Sequence, residues 1–312
     1  MLLPASFSAA LVLMLLSMVC WGSWPNAYRL APKRPLEFLH FDFSIGLLVA
    51  ALVAVGVGTA GVDLRNADSI ALVAAAAGGV VVNIGNYLLM AGVARVGLAI
   101  AFPVSVGSSL VVSALLSYLV HPLGDPVLLA AGVGLVFAAV MTNSLAYRCS
   151  GARSHGDSRG GLPMCFGAAV FFSVSGPLVA KALTTPRPLD PYGVSLVYAA
   201  GSMLAALVLV KVAVKRPWAN YVSGSARDHA AGLTGGVIWG CGMVLNFLAA
   251  GMVGMAVAGA IGQANPLVAA LWGIFVWREF RGASRRVHLL LALMIVLYAA
   301  GLVLVGESFP RP

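Results

Sequence analysis

Amide, hydroxyl and indole side chains interrupt several long apolar stretches of this sequence. Asn83, Asn86 and Tyr87 are three or four residues apart along the chain, so a helix would place them on one face. Polar groups at lipid depth are costly, and they usually face the interior of a helix bundle. By residue type and position, the candidate solute-binding residues are Trp24, Asn83, Asn86, Ser105, Ser108, Trp239, Asn246, Gln263, Asn265 and Trp272.

The chemistry open to this set is hydrogen bonding to an uncharged solute. Amides and hydroxyls suit a neutral or zwitterionic polar molecule, and the indoles offer flat faces on which a ring can stack. Paired carboxylates for a cation, or arginine clusters for a phosphate, are missing from the apolar stretches. For any single asparagine or serine, hydrogen bonding between helices is the competing explanation.

Signals for catalysis, metals and cofactors are missing. The sequence has no GxxxxGK[ST] stretch for nucleotide phosphates and no CxxC spacing. The histidines are not spaced as metal ligands, and the four cysteines are scattered, which is typical of small buried side chains. We therefore expect no metal, no cofactor and no enzyme.

The composition predicts a membrane protein. Only 9% of the 312 residues are charged, and 61% are hydrophobic. Soluble domains carry about 25% charged residues, so most of this surface must face lipid. A net charge of +9 would suggest nucleic acid as the partner of a soluble protein. Here the basic residues lie in short loops between apolar runs, so we expect a lipid bilayer and no nucleic acid.

Ten runs are long and apolar enough to cross a bilayer as helices, which takes about 20 residues each. Strand-like alternation is absent, so the predicted fold class is an all-α integral membrane protein. The predicted spans, numbered 1 to 10 in chain order, are 5–24, 43–61, 69–92, 97–120, 126–147, 161–181, 191–212, 229–250, 254–277 and 286–306.

The two halves of the chain resemble each other. GGV at 78–80 recurs at 235–237, and GSWP at 22–25 has a partner in VSGP at 174–177. Because each half has five spans, an odd number, the second half should thread the bilayer upside down. Inverted repeats with a solute site at their interface are typical of transporters. The predicted units are a first repeat at 1–150, a cytoplasmic linker at 151–160 and a second repeat at 161–312.

Several prolines and small residues have predicted structural roles. Prolines interrupt helical hydrogen bonding, so they should end, kink or loosen spans 1, 6 and 9. Small residues four apart make a flat stripe on which another helix can pack closely. The residues with these roles are Pro25, Gly97, Ala101, Pro177, Gly254, Ala258, Gly262 and Pro266.

Acidic residues are rare in the spans. Asp42 opens span 2 and Glu279 closes span 9, which makes them the candidate coupling groups if transport is driven by protons. For Asp42, a favourable charge at a helix N-terminus is the competing explanation.

The resemblance to a known family rests on five stretches. They are GSWP at 22–25, FDFSIG at 41–46, GGVVVNIGN at 78–86, VGLAIAFPVSVGSSL at 96–110 and ANPLVAALWGIFVWREFRGASRRVH at 264–288. The chain resembles the ureide permease family of the drug/metabolite transporter superfamily, which includes bacterial glucose and ribose uptake proteins. The resemblance implies ten helices in inverted halves, and transport of allantoin, uracil or a related nitrogen heterocycle with protons. The linker is shorter than in plant members.

The sequence therefore predicts a secondary-active permease for a small polar neutral solute, working by alternating access. A sugar permease, or an exporter of the same superfamily, is the alternative within transport. A non-transporting membrane receptor is the alternative from another class.

Orientation is predicted from the basic residues. Of 19 lysines and arginines, 15 lie in loops on one side of the predicted membrane and 4 on the other. The positive-inside rule then places both termini outside an inner membrane and the linker at 149–160 in the cytoplasm. A cysteine introduced into this linker should react with an impermeant maleimide only in opened or inverted vesicles. Labelling of intact cells at this position would contradict the orientation.

Overall fold

The computed structural model describes residues 3–58, 62–96, 101–150, 158–276 and 282–308. Within these ranges every regular element is helical. Nine helical stretches are long and apolar enough to cross a membrane, and one further apolar helix, Val104–Val120, is shorter. The predicted all-α, multi-span fold class is confirmed at this level.

The main helices are numbered α1 to α10 to match the predicted spans. Two short helices, Pro25–Tyr28 and Pro217–Val222, lie outside this numbering, and π-helical turns occupy Pro103–Gly107 and Trp272–Val276. The main helices are α1 Phe7–Ser23, α2 Leu36–Val57, α3 Ser69–Val96, α4 Ser108–Val120, α5 Pro126–Cys149, α6 Ser158–Ala182, α7 Pro191–Ala213, α8 Ala226–Val253, α9 in two segments (Met255–Gly262 and Asn265–Leu271) and α10 Arg285–Glu307.

Polar side chains at the edges of the apolar runs fix where helices begin. α7 follows Asp190, whose carboxylate accepts from the backbone N–H groups of Tyr192 and Gly193. α8 follows Ser225, which forms a reciprocal capping box with Asp228. Such caps satisfy the N–H groups that the first turn of a helix leaves free.

α3 and α7 cross with their backbones in direct contact. A Cβ on Gly79 would lie 1.8 Å from the carbonyl oxygen of Tyr198, and a Cβ on Gly201 would lie 2.1 Å from that of Ala76. Neither position can accept even an alanine without moving a backbone. Glycine is therefore required on both sides of this crossing, one residue from each predicted half.

α8 and α2 cross in the same manner. A Cβ on Gly236 would lie 1.9 Å from the carbonyl oxygen of Phe43, and a Cβ on Gly46 would lie 2.2 Å from that of Leu233. The second GGV stretch thus makes with α2 the contact that the first makes with α7. In each case the third helix of one half packs on the second helix of the other.

The three predicted prolines behave differently from one another. Pro25 begins the short helix Pro25–Tyr28 directly after α1. Pro177 lies inside α6, which continues past it to Ala182. Pro266 lies in the first turn of the second segment of α9, just after the helix breaks. The predicted loosening of the chain occurs near Pro266, whereas Pro177 does not end its helix.

The small-residue stripe predicted for span 9 does not include Gly254 in the structure. Gly254 lies between α8 and α9 with a φ of 80°, so it is a turn residue rather than part of a helix. The stripe therefore begins at Ala258, which is buried. At Gly262 a Cβ would lie 2.7 Å from the Trp21 ring, so close packing does occur there. Gly97 lies outside the described residues, and Ala101 is buried.

We predict that Gly236→Ala loses folded protein, because the new Cβ would overlap the Phe43 carbonyl at 1.9 Å. Overpacking of this kind typically costs about 1–3 kcal/mol or more. The measurement is thermal unfolding and monodisperse yield in detergent. Gly134→Ala is the matched control, because a Cβ there meets nothing within 4 Å. An equal loss in both variants would contradict the crossing.

Candidate functional site

A cavity lined mainly by aromatic side chains lies among α1, α3, α6, α7, α8, α9 and the turn before α4. The cavity has a volume of about 90 Å³. One water needs roughly 10–15 Å³ by a similar measure, so the space suits a small solute. Its aromatic lining comprises Trp21, Trp24, Phe102, Phe172, Tyr198, Trp239 and Phe247.

The rings on one side of the cavity hold each other in place. The Trp21 and Trp239 rings are 5.5 Å apart, and the Trp21 indole N–H donates to the Trp239 carbonyl oxygen at 3.2 Å. Tyr198 stacks on Trp239 with centroids 6.5 Å apart and planes 11° from parallel. The Tyr198 hydroxyl pairs with Ser175 Oγ at 2.7 Å. This wall therefore joins helices of both predicted halves.

Two amide groups in the cavity have buried polar atoms without a partner in the described part of the chain. They are Asn86 Nδ2, a donor, and Asn265 Oδ1, an acceptor. The orientation of Asn265 is set because its Nδ2 donates to the Gly262 carbonyl oxygen, at 3.3 Å. Buried polar groups almost always have partners. Both atoms therefore have hydrogen-bonding capacity that a solute or water must fill.

Gln263 supplies a third amide, at the break in α9. Its backbone N–H donates to the Gly259 carbonyl oxygen at 2.8 Å, which closes the first segment of the helix. Its Oε1 accepts from the Ser109 hydroxyl at 3.2 Å. Gln263 is also one of the residues that line the cavity.

Half of the predicted solute-binding residues line this cavity, namely Trp24, Asn86, Trp239, Gln263 and Asn265. The other five predicted solute-binding residues lie outside the cavity lining. Asn83 Nδ2 donates to Ser44 Oγ at 2.8 Å and to Ser202 Oγ at 2.9 Å, which joins α3 to α2 and α7. Asn83 thus ties helices together, as the competing explanation had it.

The remaining residues make similar contacts between helices or between helix segments. Asn246 Nδ2 donates to the carbonyl oxygen of Ala258 at 2.8 Å. Ser105 donates to the carbonyl oxygen of Cys165 at 3.0 Å.

Trp272 donates from its indole N–H to Ser23 Oγ at 2.9 Å. Ser108 is half-buried and is not part of the cavity lining.

Sequence reasoning missed several lining residues, including Trp21, Phe172, Ser175, Tyr198 and Phe247. Trp21 could have been predicted from the sequence, because it is three residues from Trp24 and shares a helical face with it. Tyr198 and the phenylalanines carried no such signal, since a single aromatic residue in an apolar run is more often core.

Asp42 lies in a separate polar cluster. α2 begins at Leu36, so Asp42 sits inside the helix rather than at its start, and the helix-terminus explanation is wrong. The carboxylate is 0% exposed, accepts from the Tyr221 hydroxyl and lies 3.0 Å from His229 Nδ1. Burial, together with the Asp42 hydrogen bond, raises the pKa of the Tyr221 phenol. Glu279 lies outside the described residues.

Residues near Asp42 also contact the short helix Pro217–Val222. Arg34 Nη2 donates to the Tyr221 carbonyl oxygen at 2.7 Å. The Phe41 ring packs edge-on against Tyr221, with centroids 5.2 Å apart. Asp42 thus links α2 to the segment that leads into α8.

An all-helical chain with many spans and an interior, solute-sized cavity has the architecture of a membrane transporter. Comparison with known proteins supports this class rather than an enzyme. The family model for ureide permeases matches residues 195–308. Ureide permease 5 of Arabidopsis thaliana is 24% identical to this chain, with 97% of this chain and 95% of the relative covered.

Ureide permease 4 of the same plant is 23% identical, with coverage of 97% and 98%. One solved crystal structure matches with a TM-score of 0.63 at 18% identity, covering 96% of this chain and 98% of that one. At this identity the match shows a shared fold. The chain is therefore a multi-pass membrane protein that is similar to ureide permeases along almost its whole length.

We predict that Asn83→Ala and Asn86→Ala differ in stability. Asn83→Ala removes two buried hydrogen bonds, so unfolding should become easier by about 1–3 kcal/mol. Asn86→Ala removes a donor that has no partner among the described residues, so it should cost less. Thermal unfolding of both purified variants in one detergent is the measurement. A larger loss for Asn86→Ala would contradict these assignments.

Proposed function

We propose that this chain is a permease that carries a small, neutral ring compound with both hydrogen-bond donors and acceptors. The observation that carries the proposal is that the donor of Asn86 and the acceptor of Asn265, in a cavity with many aromatic side chains, have no partner among the described residues. A solute with a carbonyl oxygen and an N–H group would satisfy both. The aromatic faces favour a flat ring, which stacks on them at little cost in entropy.

The proposed substrate class is a ureide or nucleobase-type nitrogen heterocycle, such as allantoin or uracil. Each offers carbonyl oxygens and N–H groups and carries no charge that the cavity would have to balance. The names of the relatives, ureide permeases, favour the same class. A sugar is the alternative, because its hydroxyls could also bond the amides and its ring could stack on an indole.

We also propose that the fold is two inverted five-helix repeats that rock against each other. The paired crossings support this arrangement, since α3 on α7 and α8 on α2 use glycines at matching places in the GGV stretches. The cavity lies between the halves, where such a motion would expose it alternately to either side. The excess of basic residues in the loops on one side supports a topology in which both termini lie outside an inner membrane.

Proton coupling is proposed to use Asp42. Its carboxylate is buried, and its two hydrogen-bonding partners, Tyr221 and His229, come from the second half of the chain. Proton binding there would change a contact between the halves without touching the cavity. Coupling of a proton to a solute requires two distinct sites that respond to the same movement, and Asp42 and the cavity would form such a pair.

The test is uptake by proteoliposomes from a panel of allantoin, uracil, xanthine, glucose and ribose, with and without a pH gradient. We expect allantoin or uracil to enter and the sugars to be excluded. Asn86→Ala and Gln263→Ala should each lose about 1–3 kcal/mol of binding, roughly five- to a hundredfold in affinity. Asp42→Asn should exchange solute while losing the response to the gradient.

Asn66→Ala, which alters an amide in an exposed loop, is the control for this series. Uptake of glucose or ribose alone would show that the substrate is a sugar rather than a heterocycle. Wild-type affinity in both cavity variants would show that the solute binds elsewhere.

A further inference from the structure

The amide of Gln263 is the only one of the three cavity amides whose carbonyl is held by a side-chain hydroxyl among the described residues. Ser109 Oγ donates to Gln263 Oε1 at 3.2 Å. Ser109 itself is 0% exposed and does not line the cavity. Ser109 therefore contacts Gln263 from outside the cavity, where a solute in the cavity does not reach Ser109.

The main chain of Gln263 is held by a backbone hydrogen bond at the end of the first segment of α9. Its N–H closes the first segment of α9 through the Gly259 carbonyl oxygen. The amide can still turn over about its last torsion, because O and N have nearly the same shape. A hydrogen bond donated by Ser109 to Oε1 favours the orientation in which the Gln263 carbonyl faces Ser109.

We infer that Ser109 is a positioning residue that makes Gln263 offer a donor, rather than an acceptor, to the solute. This inference rests on the proposed function, because it assigns one polar contact in the same cavity. With its carbonyl turned toward Ser109, the Gln263 NH₂ group faces the space where a solute carbonyl would lie. Ser109 thus sets part of the specificity without contacting the solute.

The bond also joins the two halves of the chain, since Ser109 belongs to α4 and Gln263 to α9. A movement of one half against the other would lengthen it and release the amide. The solute would then lose a fixed donor in one of the two states. Specificity at this position is thereby tied to the relative position of the halves.

One competing arrangement is defined by the same geometry. Ser109 Oγ also lies 3.0 Å from the Val106 carbonyl oxygen, and a hydroxyl has one proton to donate. If that proton served Val106, Ser109 could only accept from the Gln263 nitrogen. The amide would then show its carbonyl to the solute, and a carbonyl-bearing solute would be disfavoured.

The experiment compares uracil with 4-thiouracil, which replaces one carbonyl oxygen by the weaker acceptor sulfur. Dissociation constants for both are measured by calorimetry on purified wild type, Ser109→Ala, Ser109→Cys and Ser109→Thr. Ser108→Ala is the matched control, because Ser108 is the neighbouring serine and lies outside the cavity lining. Ser109→Cys keeps the size of the side chain with a weak donor, should the alanine variant fold poorly.

We expect wild type, Ser109→Thr and Ser108→Ala to prefer uracil. Ser109→Ala should bind uracil about three- to tenfold more weakly, with the thiouracil affinity changed less than about twofold. Ser109→Cys should fall between wild type and Ser109→Ala. The ratio of the two constants is insensitive to the folded fraction, so a purely structural role would leave it unchanged.

An unchanged ratio in Ser109→Ala and Ser109→Cys would overturn the positioning role while leaving the proposed function intact. A wild-type preference for 4-thiouracil would favour the Val106 arrangement and also overturn it. Failure of wild type to bind either ring would instead sink the proposed substrate class, and the inference with it.

Discussion

The structure depends on backbone contact between helices at four glycines. Lipid offers no hydrophobic drive for helices to associate, so close packing must replace it. Gly79 and Gly201 let α3 lie on α7, and Gly46 and Gly236 let α2 lie on α8. These four helices form a frame in which α3, α7 and α8 line the cavity and α2 carries Asp42. Because each contact joins the two halves, the frame is also the surface along which the halves could move.

Within that frame, polar side chains separate into two groups by whether the protein satisfies them. Asn83 has its amide nitrogen between two serine hydroxyls and is part of the scaffold. Asn86, one turn along the same helix, and Asn265 have polar atoms beside the cavity that find no partner in the part of the chain that the structure describes. In a medium with little water such atoms are expensive. Their position beside the cavity supports the proposed solute site.

The cavity and the Asp42 cluster are distinct sites that share the same interface. Gln263 reaches Ser109 across it, and Asp42 reaches His229 and Tyr221 across it. Neither bond depends directly on the other. The proposed movement of the halves would strain both bonds, and through it the proposed solute and proton sites would affect each other. This is the physical basis on which coupling is proposed.

The sequence by itself determined the helical class, the approximate positions of most spans, the GGV repeat and the polar inventory, because lipid forces apolar length and helical hydrogen bonding on a span. It also placed Asn83 and Asn86 on one helical face. Only the tertiary structure decided that Asn86 meets the cavity while Asn83 is consumed by Ser44 and Ser202. It decided likewise that Gly254 is a turn residue and that Asp42 is buried against partners nearly 190 positions away. Spacing along one helix shows which residues share a face. The residues that this face contacts are set by packing between segments that are distant in the sequence.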